Sequence, residues 1–354
     1  MKALVLSGGR ATRLRPITHT SAKQLVPVAN KPILFYALEA IRDAGITDIG
    51  IIVGHTAEEI KAAVGDGERF GVKVTYIPQE APLGLAHAVK IAEPFIKDDR
   101  FVMFLGDNLI RDGISEVVSR FQEESPNAHI MLARVRNPQD FGVAELNGTK
   151  VLRLVEKPKE PKSDLALVGV YLFDSTVFEA VNAIKPSARG ELEITDAIQY
   201  LIEKQYTVHW HLVSGWWKDT GKLEDMLEAN RLVLETIERR IDGEVDESSQ
   251  IDGRVVVEKG TQVVNSVIRG PAIVGEGCKI ENSYIGPFTS IYNRVKITSS
   301  EVEHSIILED SCITDIGARI EDSLIGKNVM VAKDNGRPRA YRFMLGDNSD
   351  VSVI

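Results

Sequence analysis

A glycine-bearing loop, two separated cations and two carboxylates are the residues of this chain best suited to phosphate chemistry. The apolar run 3–6 leads straight into Ser7-Gly8-Gly9-Arg10-Ala11-Thr12-Arg13-Leu14. Glycines there let backbone amides approach phosphate oxygens, and Arg13 adds a fixed charge. The spacing matches neither the dinucleotide fingerprint GxGxxG nor the phosphate loop GxxxxGKS/T, so alone it reads equally as a phosphate cradle or a plain turn. Lys23, in Ser21-Ala22-Lys23-Gln24-Leu25-Val26-Pro27-Val28, puts a second cation ten residues after Arg13, and Pro16 and Pro27 keep the segment from being one helix. Two cations at one sheet end suit a polyphosphate, whereas Lys23 by itself would be an ordinary solvated lysine. Asp107 follows the buried-looking run 101–105, where a carboxylate can hold a hard divalent cation or cap a turn. Asp219, in Trp217-Lys218-Asp219-Thr220-Gly221, can reach the same place. One or two carboxylates plus substrate phosphates is the usual way magnesium is held.

The elements that must position these residues alternate along the chain. Strand-like runs at 3–6, 49–53, 72–77 and 101–105 alternate with helical patterns at 33–44, 57–64 and 85–92. This implies a doubly wound α/β domain, with a mostly parallel sheet covered on both faces and ligands beyond the carboxyl ends of its strands. Further strands at 130–135, 151–155, 167–173 and 208–213, with helices at 175–184 and 194–203, belong on the same sheet and its edge. A helix at 223–241 closes a first domain, 1–241; the polar stretch 242–250 reads as a linker.

From 251 to 354 the texture changes. Aliphatic residues recur about every sixth position, at Ile285, Ile291, Ile297, Ile307, Ile313, Ile325 and Val331. A longer echo runs through Asn265-Ser266-Val267-Ile268, Asn282-Ser283-Tyr284-Ile285, His304-Ser305-Ile306-Ile307 and Asp322-Ser323-Leu324-Ile325. Ser266 to Ser283 is 17 residues and Ser305 to Ser323 is 18, three hexads per turn of a coil. A parallel β-helix explains this better than an irregular β-sandwich. Ser283 to Ser305 breaks the period, which predicts an imperfect coil, and Asp334-Asn335-Gly336-Arg337-Pro338 breaks the repeat as a terminal cap would.

Composition narrows the classes of function. The 354 residues, 44% hydrophobic and 26% charged, describe a soluble chain with room for two domains. Only four apolar residues separate Met1-Lys2 from Ser7, too few for a secretion signal, and no apolar run approaches the ~20 residues a bilayer requires. A net charge of −9 argues against nucleic-acid binding. Cys278 and Cys312 lack metal-site spacing and read as small apolar filler in a reducing cytoplasm. His209 and His211 share a strand face, but with no carboxylate or cysteine beside them they read as ordinary strand residues. Trp210, Trp216 and Trp217 read as core and pocket wall.

Taken in order, Gly8-Gly9-Arg10-Ala11-Thr12-Arg13-Leu14-Arg15-Pro16, Lys23-Gln24-Leu25-Val26-Pro27-Val28, Gln79, Pro82, Gly84-Leu85-Ala86, Leu105-Gly106-Asp107-Asn108, Phe141-Gly142-Val143, Glu156-Lys157-Pro158, Glu193-Ile194-Thr195-Asp196 and Trp217–Gly221 resemble the motifs of sugar nucleotidylyltransferases. The pattern is most similar to glucose-1-phosphate thymidylyltransferases of the long form, which carry a left-handed β-helix tail. The resemblance spans the whole chain. It implies that Leu6, Gly8, Gly9 and Arg13 wrap a triphosphate and that Lys23 binds phosphate. It places Gln24, Gln79, Pro82 and Gly84 at the base and deoxyribose, and Asp107 and Asp219 on Mg2+. Asn108, Gly142, Glu156, Lys157, Gly169 and Tyr171 then line a sugar-phosphate pocket, with Arg13, Lys23 and Lys157 as the catalytic cations. The implied reaction joins dTTP to glucose 1-phosphate and releases pyrophosphate by Mg2+-assisted in-line attack without a covalent intermediate. The β-helix would then assemble copies into a homo-oligomer.

This sequence departs from the family pattern at Ser7 and at Ala11, where alanine and a third glycine are usual. Loss of that glycine puts the path of the loop in doubt. Other readings are the same fold acting on UTP and an N-acetylhexosamine 1-phosphate, a non-catalytic regulatory subunit, or a second, acyl-transferring activity at His304. Lys23-Gln24 favours thymidine; Lys23, Asp107, Lys157 and Asp219 together speak against a silent subunit.

Overall fold

The computed structural model describes residues 1–9, 12–19 and 22–334, and divides into two compact units, Met1–Val233 and Leu234–Ile354. Ala11, where the loop departs from the family pattern, and the proposed cap after Asp334 lie outside the described residues. No helix among the described residues is long and apolar enough to cross a membrane.

A nine-stranded sheet organises the first unit. Four strands, β1 (Lys2–Ser7), β2 (Asp48–Val53), β3 (Lys73–Pro78) and β4 (Phe101–Leu105), are parallel in the order β4-β1-β2-β3. The inner three, β4, β1 and β2, are nearly continuous apolar runs because both faces are covered, while the edge strand β3 is half-exposed. Helices α1 (Ile33–Asp43), α2 (Ala57–Val64) and α4 (Ser115–Glu124) supply one core. Helices α3 (Leu85–Ile91), α5 (Val177–Ala183) and α6 (Ile194–Glu203) supply the other. The expected double winding is thus present.

The rest of the sheet is antiparallel in large part, so the whole is mixed. A short ribbon strand, β5 (Asn108–Ile110), leaves the sheet after β4, and β6 (Ala128–Arg134), β7 (Gly142–Asn147), β8 (Lys150–Glu156) and β9 (Leu165–Phe173) follow. Strand β9 is antiparallel to β4, β6 and β7, and β7 is antiparallel to β8. Its nine residues bridge the parallel half to the hairpin that carries Gly142 and Glu156. At the far edge β10 (Val208–Leu212) runs parallel to β6, and β11 (Trp217–Asp219) returns to pair with β5.

Helix α7 (Leu223–Leu234) stops well short of residue 241, because Arg240 and Ile241 already pair in parallel with Val256 and Val257. The expected linker is likewise structured: Glu244–Val245 and Gln250–Asp252 are the first strands on two further faces of a coil. Successive strands stack into three parallel sheets, which makes the second unit a parallel β-helix rather than a sandwich. Ile285, Ile291, Ile297, Ile307 and Ile313 are buried in one core, with Ile325 and Val331 packed against it.

The expected imperfect coil is present: partners in the stack are 17 residues apart from Ala272 to Thr289, but 16 apart from Ser290 to Ile306 and 18 apart from Ile306 to Leu324. Ser249, Ser266, Ser283 and Ser300 form a ladder in which each backbone amide donates to the hydroxyl one coil earlier, 17 residues back at each step. Ser305 belongs to a different corner, where its hydroxyl accepts from Ser323 N. The two serine series sit on different corners, so the interval from Ser283 to Ser305 is not itself a coil length. Cys278 is buried in the same core and donates Sγ–H to Tyr292 O at 2.9 Å. His304 bonds Asp322 through Nδ1.

Candidate active site

A cavity of about 1260 Å³ opens at the carboxyl ends of the parallel strands, and the described residues lining it lie between positions 6 and 232. The backbone of the first loop enters this cavity as β1 ends, at Gly8 and Gly9. Gly8 lies against the residue that follows β3: a Cβ there would stand 3.2 Å from Gln79 Oε1. Gln79 Nε2 donates to Gly84 O at 3.3 Å and meets His87 Nδ1 at 3.1 Å. Gly84 has φ +104°, and a Cβ would fall 2.3 Å from Leu192 O, so this turn requires glycine.

Gly106 N donates to Leu6 O at 2.9 Å, which sets Asp107 beside the end of β1. The ribbon of β5 and β11 then brings in the second carboxylate, with Asp219 opposite Asn108 in register. Thr220 fastens the crossing by donating both its amide and its hydroxyl to Asp107 O, at 3.2 and 2.8 Å. Trp217 Nε1 donates to Asn108 Oδ1 at 2.6 Å, and Asn108 Nδ2 donates to Asp107 Oδ1 at 3.0 Å.

Lys23, 8% exposed, stands between the two acids. Its Nζ is 2.5 Å from Asp107 Oδ2 and 3.8 Å from Asp219 Oδ1. Burial works to raise the Asp107 carboxyl, but Lys23 and Asn108 outweigh it and hold the group below its ordinary range. Asp219 is pushed up to about 6 by burial and by the charge of Asp107, against the weaker pull of Lys23 and Arg13. Two converging carboxylates thus share a single close ammonium, and the second has less positive charge beside it than it can use. Hard oxygen donors in this state fit a divalent cation of the magnesium class.

Across the cavity, Gly142 and Glu156 face each other on the β7–β8 hairpin, and Lys157 follows with φ +42°. Burial and the neighbouring Glu193 push the Glu156 carboxyl up, opposed by Lys157 and Arg189. Tyr171 is kept neutral: burial, then Glu156 and Asp219, drive its phenol upward. Gly169 gives Asn108 its space, since a Cβ there would lie 2.6 Å from Asn108 Oδ1.

Gln24 is 4% exposed and lines the cavity, and its Oε1 is buried without a hydrogen-bond partner. Every site residue expected from sequence lines this one cavity except Lys23, which reaches it through the two carboxylates. Trp216 and Trp217 form part of its wall, and Trp210 packs on the adjoining core. The residue that sequence reasoning missed is Arg189, which lies 3.3 Å from Glu156, 3.0 Å from Glu191 and 3.7 Å from Glu193. It sits in an aperiodic loop, and its only sequence signal is the charge density of Arg189-Gly190-Glu191-Leu192-Glu193.

Comparison with known proteins agrees with this geometry. The nucleotidyl transferase family profile matches residues 2–236. A glucose-1-phosphate thymidylyltransferase of Streptomyces griseus is 58% identical over 100% of this chain and 99% of its own length. A low-salt glycan biosynthesis nucleotidyltransferase of Haloferax volcanii is 47% identical over 100% of both. Among solved structures, a Bacillus anthracis protein described as a candidate glucose-1-phosphate thymidylyltransferase, crystallised with sucrose, superposes with a TM-score of 0.63. It is 40% identical, and the match covers 66% of this chain and 94% of that one.

Proposed function

From the premise that this chain belongs to the nucleotidyl transferase family, we propose that it transfers a thymidylyl group from dTTP to glucose 1-phosphate, giving dTDP-glucose and pyrophosphate. The observation that carries the reading is the opposition, across one cavity, of Lys23 with its two carboxylates and the Glu156–Lys157 corner. One side suits a triphosphate and the other a sugar phosphate.

In the reaction an oxygen of the sugar phosphate attacks the α-phosphorus in line. A new P–O bond forms, the bond to the β-phosphate breaks, and the electron pair leaves with pyrophosphate. No side chain need become bonded to phosphorus, so catalysis is positioning and charge neutralisation. The loop at Leu6, Gly8 and Gly9 orients the triphosphate through backbone amides, and Arg13 and Lys23 offset charge that moves to the leaving pyrophosphate. Lys157 holds the incoming phosphate. Gln24, with its unpartnered buried acceptor, takes an N–H from the base, and Gln79, Pro82 and Gly84 complete the nucleoside side. Asn108, Gly142, Glu156, Gly169 and Tyr171 shape the sugar pocket, and the neutral Tyr171 phenol offers a donor. Asp107 and Asp219 would hold Mg2+, which when bound supplies charge neutralisation at the α-phosphate.

Pyrophosphate release measured over a matrix of nucleoside triphosphates and sugar 1-phosphates with Mg2+ tests the reading. The dTTP and glucose 1-phosphate pair should turn over fastest. A preference for UTP with an N-acetylhexosamine 1-phosphate would remove the specificity, and no turnover with any pair would remove the enzyme.

The β-helix serves assembly in this reading, because stacked flat sheets present surfaces suited to like copies. Sedimentation should give a mass above that of one chain; a monomer at working concentration counts against it. The free thiols of Cys278 and Cys312 suit the reducing cytoplasm where such an activity is expected.

A further inference from the structure

The outer edge of the first unit's sheet carries a cluster that the phosphate chemistry does not use. Strand β10 runs beside β6 with His209 directly opposite His129. The two rings meet edge-on, with centroids 6.1 Å apart and planes at 77°. Helix α4 ends at Glu124, and Ser125, at φ +53°, turns the chain back toward β6. That turn delivers the carboxylate missing from the local sequence around the histidines: Glu124 Oε2 lies 2.7 Å from His209 Nδ1. One ligand atom from each of Glu124, His129 and His209 lies within 4.8 Å of the other two.

His129 is the second, independent sign. It is 2% exposed, and both its ring nitrogens are buried without a hydrogen-bond partner. Buried polar atoms are nearly always satisfied, because an unmade bond forfeits the hydration the group had in the unfolded chain. A core that only needed packing there would be served by an apolar side chain. Burial, and next the neighbouring His209, push the His129 pKa down to about 4, so the ring is neutral and its lone pair is free near neutral pH.

We propose that Glu124, His129 and His209 form a binding site for a borderline-soft divalent transition-metal ion, of which zinc is the type, distinct from the Asp107–Asp219 pair. Two imidazoles and one carboxylate suit zinc and do not suit magnesium or calcium, which take oxygen donors. Tetrahedral zinc, with bonds of about 2.0–2.2 Å, sets its ligand atoms about 3.3–3.5 Å apart. The Glu124–His209 contact would open by a fraction of an ångström and the His129 ring would turn inward, both within side-chain reach. Glu124 and His209 are partly exposed, so water can complete the coordination, or His211, two residues along the same strand face. Because β6 is the one strand that β10 pairs with among the described residues, the ion would clamp the edge strand to its neighbour and to the end of α4. Metal bound only by the folded state adds its binding energy to stability.

The test uses full-length protein stripped by a chelator. It is titrated with Co2+, read by visible d–d absorption, and with Zn2+ in competition with a chromophoric chelator. Wild type should bind one ion per chain in a site that gives the intense visible band of tetrahedral cobalt, and zinc should raise its Tm. His209→Ala and Glu124→Ala should each erase the band and weaken zinc by at least ~100-fold, since losing a direct ligand costs more than losing a group that only orients one, which costs about 10–100-fold. Asp107→Asn should retain both. His209 and Glu124 lie at the surface, so these variants keep the core intact, checked by circular dichroism without metal; His129→Ala would open the core and is not the deciding variant. Undiminished cobalt and zinc binding in His209→Ala, loss of the band in Asp107→Asn alone, or no tight zinc binding by wild type would each overturn the site.

Discussion

Lys157 leaves β8 in a left-handed conformation that a non-glycine residue adopts at a cost, and its side chain is exposed at the cavity. A residue held this way and free of core packing is best explained by what it faces. Lys157→Ala should therefore leave the Tm unchanged and lower kcat/KM for the sugar 1-phosphate by about 10²–10³, the scale of losing one preorganised charge partner. Steady-state pyrophosphate release checks this. Glu156 behaves in the opposite way. Its folded pKa is raised, so the folded chain holds the proton more tightly than the unfolded chain. The stability linked to that proton is fully present below the ordinary glutamate range and is lost as pH rises through the folded value. Glu156→Gln removes the penalty of a buried charge. It should raise the Tm relative to wild type at pH 7, with the gain shrinking as pH falls through the carboxylate range, while weakening sugar-phosphate binding. A thermal-melt series across pH reads both limbs; a constant offset would refute the linkage. At this scale Lys23, Asp107 and Asp219 are legible in sequence because each adjoins a strand end or a proline-bounded segment. Arg189 and the Glu124–His209 contact are not, because their partners come from separate elements and no local pattern records the meeting.

The elements that carry the site differ in how much of themselves they display. Strands β1, β2 and β4 announce their bounds within a residue or two, since burial on both faces leaves nearly unbroken apolar runs. The ribbon of β5 and β11 has three residues on each side, too few for any periodicity to be read, yet it brings Asp219 to Asp107. Its seating depends on β9, whose Gly169 leaves room for the Asn108 side chain that accepts from Trp217. Gly169→Ala would thrust a methyl into Asn108 Oδ1, 2.6 Å away, and β9 is held between neighbours on both sides and cannot retreat. The expected cost is about 1–3 kcal/mol of stability, typical of overpacking, together with loss of activity as Asn108 is driven off Trp217. Denaturant unfolding and turnover measured on the same sample check it: a variant with wild-type values in both would mean that Asn108 and the ribbon have a second seating. The same logic explains the misjudged end of α7, whose helical pattern ran on in sequence to residues that the β-helix claims for a strand.

For the molecule as a whole, two units with separate cores divide the work. The described residues that line the cavity belong to the first, while the second is a stack of coils, each buried by its neighbours. The coil repeat is visible in sequence because an aliphatic position must return to the interior on every face, but the corners are not. Serines occupy more than one corner, and only the pairing of Ser283 with Ser300 tells which serines form one ladder. Ile297 tests the division. It is fully buried and lies in parallel register between Ile280 and Ile313, in the middle of the stack. Ile297→Ala should cost about 2–5 kcal/mol, because neighbouring coils tied by backbone hydrogen bonds cannot close over the cavity. Since, among the described residues, none that lines the cavity lies beyond position 232, KM for both substrates should stay at the wild-type value below the unfolding transition. Chemical denaturation and steady-state kinetics on the full chain decide between the outcomes: a changed KM at a temperature where the variant remains folded would mean that the coils act on the site, and unchanged stability would mean that the stack is not the cooperative core that its packing describes.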